Sequence, residues 1–126
     1  MTGAIWIIQI VHYPIFHFVK DPTFSRFHKY HSSQITWVVA PMMFLELLAG
    51  FGLAYFVQGI WIFQLALILF LWLVTFFVSV PLHNKLGQVR NEQVIKKLVI
   101  TNWIRTLLWT LRTLIILFTV SIGLAP

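Results

Sequence analysis

The chain has 126 residues, 60% of them hydrophobic and 10% charged, against roughly 45–50% and about 25% in soluble domains. That leaves too little polar surface to cover a water-facing fold, so a bilayer is the natural solvent. The net charge of +6 lies in short segments between apolar runs, which argues for a membrane protein and against a nucleic-acid partner, and the lack of cysteine excludes disulfide frameworks, iron–sulfur clusters and thiol nucleophiles.

One integral membrane domain, residues 1–126, is expected. The first apolar run covers residues 3–18 and is interrupted by Gln9, His12, Tyr13, Pro14 and His17. At 1.5 Å per residue it reaches about 24 Å, short of a hydrocarbon core of about 30 Å. Such a short span suggests that the natural chain begins upstream of Met1. It has neither the charged flank nor the small-residue cleavage site of a signal peptide.

Pro22 and Thr23 are helix-start signals. Phe24, Phe27, His28 and His31 then share one face, and Ser25, Arg26, Lys29 and Ser32 share another. This pattern predicts a short amphipathic helix over about 23–32, lying in the membrane interface. A second span follows over 35–57, with Pro41 inside it and Glu46 near its middle. Gln58 and Gly59 form a minimal turn. The third span, 60–82, carries no charge and is expected to end at Pro81; the fourth, 98–124, contains Asn102, Arg105 and Arg112. The expected fold is therefore all-α, a four-helix transmembrane bundle with a short interfacial helix between helices 1 and 2.

Loop charges set the orientation. Lys20, Arg26 and Lys29 lie in the first connection, and Lys85, Arg90, Lys96 and Lys97 in the third, whereas the second connection and both termini carry no basic residue. Short basic loops stay in the cytoplasm. Both termini are thus expected outside a cell membrane, with a bacterial inner membrane as the setting. Ala49, Gly50, Gly52 and Ala54 would allow close helix contact or a homo-oligomer.

Ionisable residues inside a bilayer are rare and generally face the bundle interior. Glu46 and Arg112 lie at equal depth and are expected to form a structural ion pair. Asn102, Arg105, Thr106, Trp109, Arg112 and Thr113 form one polar stripe on the fourth helix. Arg105 lies about 9 Å inside that span, and His12 is at similar depth on the first helix with Gln9 on its face. These positions predict a polar pocket for a lipophilic or amphiphilic small molecule. His12, Asn102 and Arg105 would do its chemistry, with Gln9 and Trp109 contributing to binding. No cofactor is expected. A metal or haem reading rests on the histidines alone and would use His28, His31 and His83.

Three stretches, residues 6–19, 27–50 and 80–115, together resemble a small four-helix membrane family that includes the fungal anthrone oxygenases. The marks are the proline–polar segment from Pro81 to Leu86 and the pair Asn102 and Arg105. The histidine- and tryptophan-rich version here looks like a bacterial branch. The resemblance implies a cofactor-independent oxygenase acting on a polycyclic phenol, with Asn84, Asn102 and Arg105 in a membrane-facing site. Beside that reading stand a non-catalytic subunit or small-molecule binder, and a haem or metal protein.

Overall fold

Long apolar runs with few helix breakers propagate as helix, and this chain forms little else. The computed structural model describes residues 1–20 and 22–123, and no strand occurs among them. A short helix α1 (Thr2–Ile15) precedes three long ones, α2 (Phe24–Phe56), α3 (Ile60–Gln88) and α4 (Glu92–Ser121). Each long helix is long and apolar enough to cross a membrane. Leu124, the last residue of the expected fourth span, lies outside the described residues.

The helices pack side by side in alternating directions. Trp6 bonds Thr110, Gln9 bonds Val99 and His17 bonds Glu92, so α1 runs antiparallel to α4. Between α2 and α3 the turn is as short as Gln58 and Gly59 suggest, and both have positive φ, 63° and 57°. The other connections lie at the opposite end, here called the basic end. Arg90 closes that end by donating its Nε–H to the Val19 carbonyl at 3.0 Å. Asn91 caps α4, accepting from the backbone amides of Gln93 and Val94.

Polarity runs from inside to outside in reverse of a soluble protein. Phe56 and Trp37 are 81% and 77% exposed, while Asn102, Arg105, Thr106 and Arg112 are buried. Contiguous apolar surface on this scale marks contact with a membrane or partner. The polar stripe of α4 faces inward, where most of its groups find a partner. Thr2 bonds the Trp109 carbonyl and the Thr113 hydroxyl, for instance.

Three expectations about the elements are corrected. The segment 23–32 is not a separate interfacial helix, since α2 is continuous from Phe24 to Phe56. Nothing between Ser32 and Ile35 breaks it, and Thr36 donates to the Ser32 carbonyl across that point. The face carrying Phe24, Phe27, His28 and His31 packs around the buried Phe16 ring, with ring centres 5.3 to 6.2 Å away. It is thus covered by protein. Second, Pro81 does not end the third helix, which continues to Gln88. A proline inside a helix clashes with the carbonyl four residues back. Here a π-helical turn at Thr75–Ser79 opens the backbone just ahead of it. Third, the first helix stops at Ile15, short of the expected 18.

Gly50 of α2 faces Leu65 and Ile68 of α3, and a Cβ there would lie 2.6 Å from Ile68 Cδ1. Gly50→Ala is accommodated by rotating the flexible Ile68 tip. Gly50→Val forces the helices apart, and overpacking of this kind costs about 1–3 kcal/mol. Thermal denaturation in detergent should therefore rank wild type, Ala and Val in falling order, with the larger step at Val.

Candidate functional site

Two prolines and two π-helical turns shape the interior. Ile8–His12 precedes Pro14 by the same interval at which Thr75–Ser79 precedes Pro81. A π turn inserts one extra residue and rotates the residues beyond it by about 100°. Tyr13 thereby takes the inward position that regular spacing would assign to His12. Between the two turns, at the basic end, lies a cavity of about 330 Å³.

Its walls are α2 and α3. Lining residues recur at helical spacing from Ser32 to Phe44 on α2 and from Trp72 to Asn84 on α3, so the cavity is a groove about 18 Å long. Ile8 and Tyr13 of α1 and Arg105 of α4 form its floor. Tyr13, Ser79 and Arg105 are buried, whereas Thr36, Phe44, Phe76, Val80 and Asn84 are exposed along the rim. The opening therefore lies on the outer surface between α2 and α3.

The polar floor holds two hydrogen-bonded groups. The Tyr13 hydroxyl is 3.1 Å from His83 Nε2, and His83 Nδ1 is 3.1 Å from His28 Nε2. Ser32 Oγ lies 3.4 Å from that His83 nitrogen. Arg105 donates through Nη1 to Asn102 Oδ1 at 3.2 Å, and its guanidinium carbon sits 5.7 Å from the centre of a Trp109 ring. Its buried Nε–H has no protein acceptor. No carboxylate partners it among the described residues.

The expected pocket, with His12, Asn102 and Arg105 all on its wall, is corrected: of the three only Arg105 lines the groove. The π turn carries His12 out to lie against His31, with ring centres 5.0 Å apart and the planes tilted by 45°. Asn102 lies behind Arg105, its amide nitrogen donating to Gln9 Oε1 at 2.8 Å. Gln9 in turn donates to the Val99 carbonyl, so both amides tie α1 to α4. Asn84 is on the rim. Trp109 belongs to the other half of the bundle, where its indole N–H donates to Glu46 Oε2 at 2.7 Å.

That half holds the ion pair. Arg112 Nη1 meets Glu46 Oε2 at 2.7 Å, Arg112 Nε donates to Gln64 Oε1 at 3.2 Å, and the Met1 amino group is 3.2 Å from Glu46 Oε1. Among the histidines, His28 and His83 meet ring to ring while His31 turns toward His12 and Phe27. Among the described residues no cluster of three or more His, Asp or Glu has metal-site geometry.

At the basic end, His17 and Arg90 flank Glu92, which precedes the apolar part of α4. The hydrogen bond from His17, and then the charge of Arg90, hold its carboxyl below the ordinary range.

Helical spacing alone does not single out Tyr13, Thr75 or Ser79, places Ser32 on a polar face, and offers His83 only as a metal ligand. The signal for Tyr13, Thr75, Ser79 and His83 is proline within an apolar helix, since Pro14 and Pro81 mark where the backbone opens and turns side chains inward; Ser32, on regular helix, has no such signal. Comparison of the chain with family models, with curated proteins and with solved structures finds no match.

Proposed function

We propose that this is a multi-pass protein of a cell membrane, bundled from four helices, with both termini outside and the basic end in the cytoplasm. Its groove holds a lipophilic small molecule by an acidic oxygen. One observation carries this reading: Arg105 is buried at the groove floor with its Nε–H unpartnered and no carboxylate beside it. An uncompensated guanidinium at membrane depth costs about 2.5–3.5 kcal/mol on insertion scales, and a substrate oxyanion would offset that cost.

The chemistry suits an oxygenase-like enzyme of the kind the family resemblance implies. Deprotonation of a phenolic substrate gives an electron-rich anion that dioxygen can oxidise without a cofactor. Arg105 would stabilise the anion, and the Tyr13–His83 pair would exchange its proton. A non-catalytic binder is the second reading. It is favoured because both His83 nitrogens are already engaged, by Tyr13 and by His28.

Mass spectrometry of solvent extracts from the purified protein tests the site. A stoichiometric phenol or fatty acid is expected, and it should be lost in Arg105→Lys, because lysine cannot reproduce the bidentate fork. Retention of the same molecule by Arg105→Lys would overturn the site, as would an extract with no lipophile. Reporter fusions at residues 59 and 90 should report opposite sides of the membrane, and the same side for both would overturn the orientation.

A further inference from the structure

We propose that the groove takes a single-chain carboxylic acid out of the leaflet at the basic end, sideways between α2 and α3. This rests on the preceding reading that the cavity holds an acidic lipophile, and it names which one and by what route.

Three observations point there. The first is the position of the mouth. Thr36, Phe44, Phe76 and Val80 line the groove and are also exposed on the outer surface of the two helices. That surface would face hydrocarbon, so a ligand reaches the groove from lipid without crossing water.

The second is a polarity gradient. Arg105, Tyr13, His83 and Ser32 cluster at the groove end nearer the basic loops, while Met43, Phe44 and Trp72 form the other end. A lipid of the leaflet on that side has the same order, head at the charged boundary and chain toward the midplane. A single-chain amphiphile can therefore move in laterally with no reversal and no exposure of its chain. The two walls run alongside each other for about 18 Å, a length that suits a chain.

The third is the charge. The floor supplies one guanidinium, and its other polar groups, Tyr13, Ser32, Ser79 and the linked histidines, are neutral donors and acceptors. One carboxylate balances the charge of the one arginine that lines the groove. A monoalkyl phosphate carries about −1.5 to −2 near neutral pH and would leave negative charge uncompensated in the groove. A cationic head would meet Arg105 as a like charge.

Direct titration of the full chain in nanodiscs of zwitterionic lipid tests this. The ligands are a long-chain saturated carboxylic acid, the alcohol, trimethylammonium and monoalkyl phosphate of equal chain length, and a polycyclic phenol. The acid should bind at least about tenfold more tightly than the alcohol, a difference of about 1.4 kcal/mol, and the ammonium should not bind. Arg105→Gln should bring acid and alcohol to equal affinity while alcohol binding persists. Ala40→Trp, which fills the middle of the groove, should weaken both; if it does not fold, Thr36→Trp on the rim should do the same. Equal affinity of acid and alcohol in the wild type, an unchanged preference in Arg105→Gln, or tighter binding of the phosphate overturns the proposal. Binding of the phenol without the chain acid also overturns it, but leaves the acidic-lipophile site standing. If none of these lipophiles binds, both readings fall together.

Discussion

Glu46→Ala should sharply reduce the yield of folded, monodisperse protein after detergent extraction. The Glu46 carboxylate accepts from Arg112 and from the Trp109 indole and lies against the Met1 amino group, so it links α1, α2 and α4. Removing it leaves a buried guanidinium with only Gln64 to accept from it. Breaking a buried pair from one side costs about 3–5 kcal/mol, and the 26% exposure of the Glu46 side chain places the loss toward the lower figure. Glu46→Gln keeps an acceptor for Trp109 and should lose less. Joining Glu46→Ala to Arg112→Met should restore much of the yield, because the pair then leaves together. If Glu46→Ala matches wild type in thermal denaturation, the pair does not hold the bundle.

Arg105→Met should act in the opposite direction and raise the thermal stability of the ligand-free protein. Arg105 is as buried as Arg112 but has an amide oxygen where Arg112 has a carboxylate. Replacing a poorly compensated buried charge by an apolar side chain of similar volume removes a burial cost of about 2.5–3.5 kcal/mol. Loss of the Asn102 bond and of the contact with Trp109 reduces the expected gain to about 1–2 kcal/mol. The preference for an acidic ligand over its alcohol should vanish in the same variant. A protein that tolerates a destabilising group for the sake of its site behaves in this way. Destabilisation by Arg105→Met as large as that of Arg112→Met would show instead that both arginines are structural.

The Glu46–Arg112 contact is readable in the sequence because it depends only on counting residues from the ends of two long helices. The buried stripe from Asn102 to Arg112 is readable for the same reason, as α4 keeps regular 3.6-residue spacing throughout. The groove is not. Its polar floor depends on where Tyr13 and His83 point, and both follow a π turn that changes the spacing by one residue. Regular spacing therefore selects His12 and Asn102, one rotated away to His31 and the other enclosed by Gln9 and Arg105. Pro81 misleads in a related way. Proline is read as a stop, yet the turn before it removes the clash that would make it one. The docking of Phe24 and Phe27 on Phe16 is hidden because an amphipathic face has the same pattern whether it meets lipid or protein.

The turn between α2 and α3 bears on how the protein is made. In the proposed membrane setting, its two residues would span too little length for α2 to settle into the bilayer while α3 stays outside it. The α2–α3 hairpin would therefore partition as one unit. The groove between these helices would then be walled on both sides as soon as the hairpin is inserted, before α4 is synthesised and delivers Arg105 to its floor. Synthesis would thus build an apolar trough first and supply its charge last, so that the guanidinium enters a bundle already able to surround it.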